Sequence, residues 1–351
     1  MKKLIPVIMT MLMLFSACGK QTESSTESTT PETVSEEPSP VAVTNPLTGE
    51  KITADRSDVR PYAVMLNNIK VALPQCGVSK ADILYEILAE GNITRLEGIF
   101  TSLDGIGAMG SMRSARPYYI TVAQAYDAIF VHAGGSDQAY SDIETKKIND
   151  IDGVRGSYAN TYFYRDKTRQ KYGIEHSLFT TSDKLEACAK ELGYRTTHDG
   201  TFDYGLAFSD SVDLGTSASP AEKVNVSFGG IKDTSFTYHS DTGCYTGAEY
   251  GSDYIDGTTQ ETVKFKNLVV LFAETKFVDD YGRRAVDLIG TGKGYFMVNG
   301  KSVPITWSHS SEKAPFVYEL EDGTPVTFGV GKSYIAIVPT GSTITMGQPQ
   351  G

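Results

Sequence analysis

Arg113 and Arg116 stand three residues apart, immediately ahead of Pro117 and downstream of Gly110 and Ser111. Proline favours the first position of a helix, so this spacing places two guanidiniums at a helix N-terminus. Free N–H groups, the positive end of the macrodipole and two guanidinium forks together favour a carboxylate or a phosphate. A second turn of this kind follows at Gly134-Gly135-Ser136, after the apolar run 128–131 and His132. Glycines there let a ligand approach backbone N–H groups. If both turns leave one sheet edge they share a cleft, and His132 is expected to look into it. The competing use of the arginines is structural: pairing with Glu86 and Glu90, and thereby pinning elements together.

Bond-breaking chemistry has weaker support. Glu86 and Glu90 are four residues apart in a segment that reads as a helix, which would place them on one face with Arg95 as a neutralising partner. Two carboxylates so placed, with His132, are the candidates for a wall-directed glycoside hydrolase. Ser136 near His132 lacks the Gly-x-Ser-x-Gly elbow and reads better as a helix N-cap. His132, Asp137, His176 and Asp127 follow no recognised metal-ligand spacing, and no cofactor motif is present, so neither a metal nor a cofactor is expected.

The elements that must carry these residues divide the chain. From residue 45 to 210, strand-like and helix-like segments alternate. Strands are expected at 61–66, 93–101 and 128–131. Helices are expected at 79–91, from Pro117 to Ala125, after Ser136 to Lys147, and from Asp183 to Leu192. Residues 211–222 read as a linker. Beyond them, residues 223–345 are a succession of strands, with Asn299-Gly300 and Asp322-Gly323 as hairpin turns. The expected fold class is α+β or α/β, an N-terminal α/β domain with a mixed sheet followed by a β-rich C-terminal domain. Tyr158, Tyr162, Phe163 and Tyr164 could form a sugar-stacking face but read better as strand packing, and Trp307 as a β-domain core anchor.

Lys2 and Lys3, an apolar run from Leu4 to Phe15, and Ser16-Ala17 before Cys18 form a secretory signal. A cysteine at that point is placed to receive lipid, so residues 1–18 read as a lipoprotein signal and Cys18 as the lipidation site. Residues 19–44 are mostly Ser, Thr, Glu and Pro, a composition that cannot offset ordering entropy. They read as a disordered tether with an extended reach of about 85 Å. The expected location is the extracytoplasmic face of the cell membrane. The 351-residue chain has a formal net charge of −11, more negative once Lys2 and Lys3 are removed, which argues against nucleic acid as a partner. Cys76, Cys188 and Cys244 remain, an odd number with no zinc spacing, and are expected to be buried thiols.

Ordered motifs run through the whole body. They begin with Asn45-Pro46-Leu47-Thr48-Gly49, Arg60-Pro61-Tyr62, Pro74-Gln75-Cys76-Gly77 and Ala81-Asp82. Arg113-Ser114-Ala115-Arg116-Pro117, His132-Ala133-Gly134-Gly135-Ser136 and His176-Ser177-Leu178 follow. In the second half come Val286-Asp287, Asn299-Gly300-Lys301, Trp307 and Ile337-Val338-Pro339. Together they resemble the YerB-like lipoprotein family of Gram-positive bacteria, built on a domain of unknown function with a C-terminal companion domain. Leu73 departs from that resemblance, standing where a basic residue is expected. The resemblance implies a surface lipoprotein, adds His176 to the candidate ligand residues, and hints at cell-wall assembly or its regulation. It supplies no reaction. The expected partners are therefore the membrane, through Cys18, and an anionic cell-wall fragment or an envelope protein.

Overall fold

The structure, a computed structural model, describes residues 43–229 and 232–348. The signal, Cys18 and nearly all of the tether lie outside the described residues. At the centre is a mixed sheet of eleven strands. In chain order these are β1 (Tyr62–Asn67), β2 (Ile83–Leu88), β3 (Thr94–Phe100), β4 (Ile129–His132), β5 (Asp150–Asp152) and β6 (Ser219–Pro220). They continue with β7 (Asn267–Ala273), β8 (Gly290–Val298), β9 (Lys301–His309), β10 (Val317–Leu320) and β11 (Ser333–Pro339). Their spatial order is β6-β9-β8-β7-β11-β2-β3-β1-β4-β5, with β10 also paired to β9. The two sequence segments meet where β11 runs parallel to β2, with Ile335 opposite Tyr85. Strands from both sides of residues 211–222 thus share one sheet, and β6, within that stretch, forms an edge strand.

The helices are α1 (Pro117–Ala125), α2 (Asp137–Lys146), the single turn α3 (Ala159–Tyr162) and α4 (Ser182–Glu191). Strands dominate the described residues, so the architecture is a mostly β, mixed-sheet fold of the α+β kind. It is not a regular α/β alternation. One face of the central sheet packs under α1, α2 and Trp307. The other packs against α4 and a second, six-stranded sheet that includes Lys223–Ser227, Asp233–His239 and Cys244–Glu249.

The expected helix at 79–91 is a strand. After a short 3-10 turn at Val78–Lys80, residues 83–88 form β2, and every one of them is buried. A central strand covered on both faces carries a near-continuous apolar run, which resembles a helix core when read by periodicity alone. Asp82, just before β2, accepts hydrogen bonds from the Thr101 backbone N–H at 2.7 Å and from Asn45 at 2.8 Å. That contact fixes residue 45 at the end of the sheet where β2 begins. Asn299-Gly300 is the expected two-residue hairpin, with φ of 54° and 73°. Trp307 is buried, and its indole N–H donates to the Phe272 carbonyl at 3.1 Å. Cys76, Cys188 and Cys244 are all free thiols; Cys188 is buried and the other two are half-buried.

Candidate functional site

The two turns singled out in the sequence lie side by side. The Arg113 backbone N–H donates to Met65 at the end of β1, and the Ala133 N–H to the Arg113 carbonyl at 2.9 Å. Ala115 N–H donates to the Gly134 carbonyl at 2.9 Å, so the turn before α1 is zipped to the turn before α2. Residues 111–113 run antiparallel beside the end of β1, with Leu66 opposite Met112, and pair onward with the residues that follow β4, which brings the two turns together. Gly134 has φ of 76°, which only glycine adopts readily, and Ser136 caps α2 by accepting from the Ala139 N–H at 3.2 Å.

Beyond this end of the sheet, the hairpin of strands Thr275–Phe277 and Arg284–Val286 folds back over α1. A cleft of about 660 Å³ lies between them, lined by Arg116, Pro117 and Tyr118 of α1, Ser136 and Asp137 of α2, and Arg284 of the hairpin. The hairpin is fastened by Gly91 N–H donating to the Gly282 carbonyl at 2.9 Å and by Arg284 donating to the Gly91 carbonyl. It also leaves Phe277, Val278 and Tyr281 exposed, Tyr281 at 72%. No residue in the turn of this hairpin is singled out by sequence; Arg283 pairs with Asp279 at 3.1 Å, and the exposed apolar residues around the turn were the missed signal.

The arginines divide their duties. Arg116 and Arg95 both clamp Glu90: Arg95 Nη2 donates at 2.5 Å and Arg116 Nε at 2.6 Å. This is the structural pairing set against the ligand reading, with Glu90 as its centre and Glu86 taking no part. Glu90 follows β2 in the turn to β3 and shares no helix with Glu86. Arg95 is 2% exposed, and burial, then the neighbouring Arg116 charge, pulls its pKa down to about 10. Arg113 is different. It is half-buried, has no carboxylate within 4 Å among the described residues, and makes one long hydrogen bond, to the Glu175 carbonyl at 3.4 Å. Burial, only partly offset by the pull of Glu175 and Glu90, lowers its pKa. Around Glu90, three guanidiniums thus face one inner carboxylate.

His176 sits beside Arg113. Its Nδ1 lies 2.9 Å from Asn67 Nδ2, which can only donate, so the imidazole proton is on Nε2, 3.5 Å from the Glu175 carboxylate. Burial, then the Arg113 charge, pushes the imidazole pKa down, favouring the neutral ring.

His132 is not in the cleft. It is fully buried, stacked on Phe130, with Nδ1 2.8 Å from the Gly134 carbonyl and Nε2 3.1 Å from Asp150. The Gly134 N–H, expected to be open to a ligand, donates instead to Asp152 at 2.8 Å. His132, Asp152 and Tyr140 are therefore the frame that shapes the turn from beneath.

Glu86 lies on the opposite face of the sheet, 0% exposed. It accepts from Asn68 at 2.9 Å, Thr94 at 2.6 Å and Thr234 at 2.7 Å, and from the Tyr334 hydroxyl. Lys232, itself buried, approaches Glu86 at 3.5 Å and pairs with Glu249. No path brings a substrate to this carboxylate. His132, Asp137, His176 and Asp127 each have separate neighbours, and no group of three His, Cys, Asp or Glu side chains gathers as metal ligands among the described residues.

A mixed sheet that joins two sequence segments carries two adjacent turns at one end, beside a cleft lined by four basic and four acidic side chains. The chain matches the N-terminal domain of the protein-of-unknown-function family DUF3048 over residues 47–195, and that family's C-terminal domain over 224–335. It is 32% identical over 300 residues to "Putative lipoprotein YerB" of Bacillus subtilis (strain 168), covering 84% of this chain and 86% of that one. The crystal structure of YerB protein from Bacillus subtilis superimposes with a TM-score of 0.74 at 30% identity, covering 86% of this chain and 99% of the other. This chain belongs to the YerB-like, DUF3048 family. No helix among the described residues is long and apolar enough to cross a membrane.

Proposed function

We propose that this protein is a lipid-anchored, extracytoplasmic binding protein that holds an anionic envelope ligand, a cell-wall fragment or an acidic partner segment, at the Arg113 end of its sheet. The observation that carries this reading is Arg113 itself, a half-buried guanidinium with no carboxylate within 4 Å among the described residues, beside two that are both paired with Glu90. A guanidinium is a planar two-pronged donor, suited to a carboxylate or phosphate. Tyr281, exposed and near enough for its charge to act on Arg113, offers a stacking surface a sugar or a peptide would use.

The orientation is favourable. Residue 45 is held at the end of the sheet where β2 begins, whereas Glu90 and Arg116 lie past the other end. Six residues of strand put roughly 20 Å between them. A chain anchored through Cys18 can therefore hold this cleft on the side away from its own attachment, where a regulator of wall synthesis would meet its ligand. The hydrolase alternative loses support from the same geometry. Glu86 is sealed inside, Glu90 is held by two arginines, and a general acid must reach the bond it protonates.

The test is calorimetric titration of the protein with anionic muropeptides. Arg113→Ala is expected to weaken binding about tenfold, as loss of a charge-assisted bidentate contact does, without changing the melting temperature. Equal binding by wild type and variant refutes the assignment.

A further inference from the structure

Arg113 has a counterpart. Arg165 lies on a short strand, Tyr164–Arg165, that pairs antiparallel with Leu178–Thr181, and the 3-10 turn Ile174–His176 stands just before the second of these. Arg165 Nη1 donates to the Ile174 carbonyl at 2.5 Å, and Arg113 Nη1 to the next carbonyl, that of Glu175, at 3.4 Å. Two guanidiniums are therefore held at neighbouring carbonyls of one turn. Both are half-buried, and Arg165, like Arg113, has no carboxylate within 4 Å among the described residues. Like charges gathered in this way repel unless an anion joins them.

The same turn adds a third donor. His176 is 6% exposed, Asn67 occupies its Nδ1, and its Nε2 proton has no hydrogen-bond acceptor among the described residues. The same holds for Nε and Nη2 of Arg113 and of Arg165. None of these five nitrogens is among the enclosed polar atoms, so each can be reached from solvent.

Glu175 is the carboxylate whose charge acts on all three side chains. Gly173, at a φ of 124°, shapes the turn beneath it, since a Cβ there would come within 2.7 Å of this carboxylate. Its own backbone N–H first, then His176, Arg113 and Arg165, outweigh burial and hold the carboxyl below its usual range. Even so, its side chain is 51% exposed, 3.5 Å from His176 Nε2, and in salt-bridge contact with neither guanidinium. Glu175 is a loose internal counter-ion that an arriving anion can replace.

We infer that Arg113, Arg165 and His176 form a seat for a phosphoryl group, the phosphate of a monoester or a diphosphate, which displaces the Glu175 carboxylate. A carboxylate has two oxygens and fills one guanidinium fork. A terminal phosphate has three oxygens and close to two charges, enough for both forks and the imidazole N–H. Assignment of this seat rests on the reading above, that ligand binds at the Arg113 end of the sheet.

The test uses the full chain carrying Cys18→Ser, which keeps lipid attachment out of the readout. Glucose 1-phosphate, pyrophosphate and acetate are titrated by calorimetry at matched ionic strength. Flotation with phosphatidic acid–phosphatidylcholine vesicles, against phosphatidylcholine alone, tells a lipid-borne phosphate from a soluble one. Both phosphates are expected to bind and acetate is not. Arg165→Ala is expected to weaken phosphate binding about tenfold. That change also frees the Ile174 carbonyl, so Glu175→Gln provides the second variant. It leaves both guanidiniums in place and is expected to tighten binding several-fold, which loss of structure cannot produce. Calorimetric binding with flotation assigns a phosphate that the seat can take from a membrane surface, and calorimetric binding without flotation assigns a soluble one. Absence of calorimetric binding by both phosphates, or binding that neither Arg165→Ala nor Glu175→Gln alters, overturns the inference. Muropeptide binding that depends on Arg113, with neither phosphate bound, overturns the phosphoryl seat alone and leaves the broader reading in place.

Discussion

Replacing Glu86 with glutamine separates a structural carboxylate from a catalytic one. The substitution is nearly isosteric, so it leaves no cavity. It does convert one acceptor oxygen into a donor inside a site where Asn68, Thr94, Thr234 and Tyr334 all donate. It also leaves Lys232, 1% exposed, with Glu249 as its one remaining carboxylate within 4 Å among the described residues. Hydrogen bonds to charged groups contribute about 1.5–3 kcal/mol each, and removing one member of a buried ion pair costs about 3–5 kcal/mol. The Thr234 and Tyr334 hydroxyls can rotate to accept from the new amide, which recovers part of this. The expected net loss is about 3–4 kcal/mol, read as a fall of roughly 5–12 °C in melting temperature for a body of this size. Denaturant unfolding of Glu86→Gln, Lys232→Met and the double variant provides the assay. The double variant is expected to cost clearly less than the sum of the singles, because the second change removes a charge already stranded by the first. A loss below about 1 kcal/mol, or strict additivity, would refute the buried network.

Three further outcomes follow from the same physical reasoning. Burial alone pushes the Glu97 carboxyl well above its ordinary range, and neither of its oxygens has a partner. A raised acid gives stability that is full below about pH 4.5 and lost as pH rises, so above about pH 5 Glu97 contributes a decline of at most about 1.4 kcal/mol per unit, which ends once its raised pKa is passed. Glu97→Gln is expected to remove that slope in urea melts, and an unchanged slope contradicts the assignment. Asp127 behaves in the opposite sense. Burial opposes its ionisation, but His198, Arg195 and Arg60 outweigh this and hold it at about 2. Its contribution is present above about pH 4 and lost as pH falls toward 2, worth about 1–2 kcal/mol after solvent screening. Asp127→Asn should erase this acid limb, and a limb that survives would show that other carboxylates cause it. Arg116→Ala strips Glu90 of one of its two guanidiniums. It is expected to cost about 2–3 kcal/mol in stability, so any loss of binding must be measured at a temperature where the variant is folded. A variant as stable as wild type would make the Glu90 clamp dispensable.

The helices beside the candidate site were legible in the sequence, and the reasons are local. Pro117 after Arg116, Ser136 after two glycines, and Gly193 after the 182–191 helix are short-range signals, and α1, α2 and α4 form as those signals imply. The adjacency of the two turns could be put only as a condition, because the chain before α1 leaves a separate three-stranded sheet and meets β1 through the bridge of Leu66 to Met112. What escaped was everything set by long-range pairing. β2 could not be told from a helix, because its burial depends on β11, some 250 residues away in the chain. That one misassignment carried Glu86 to the wrong place, since a helix face and a strand interior make opposite demands on a carboxylate. His132 was placed by its strand position, but the side to which its ring turns is fixed by Asp150, on the next strand. The clearest missed feature is the hairpin over α1: its exposed Phe277, Val278 and Tyr281 were a local signal, but its place against Gly91 is set by pairing across some 190 residues.

The most direct test of the binding reading is calorimetry of the full chain and its Arg113→Ala variant with anionic muropeptides at matched ionic strength. Saturable binding by the wild type that falls about tenfold in the variant, at an unchanged melting temperature, is the predicted result. Identical isotherms for the two proteins, or no heat of binding with either, would contradict it.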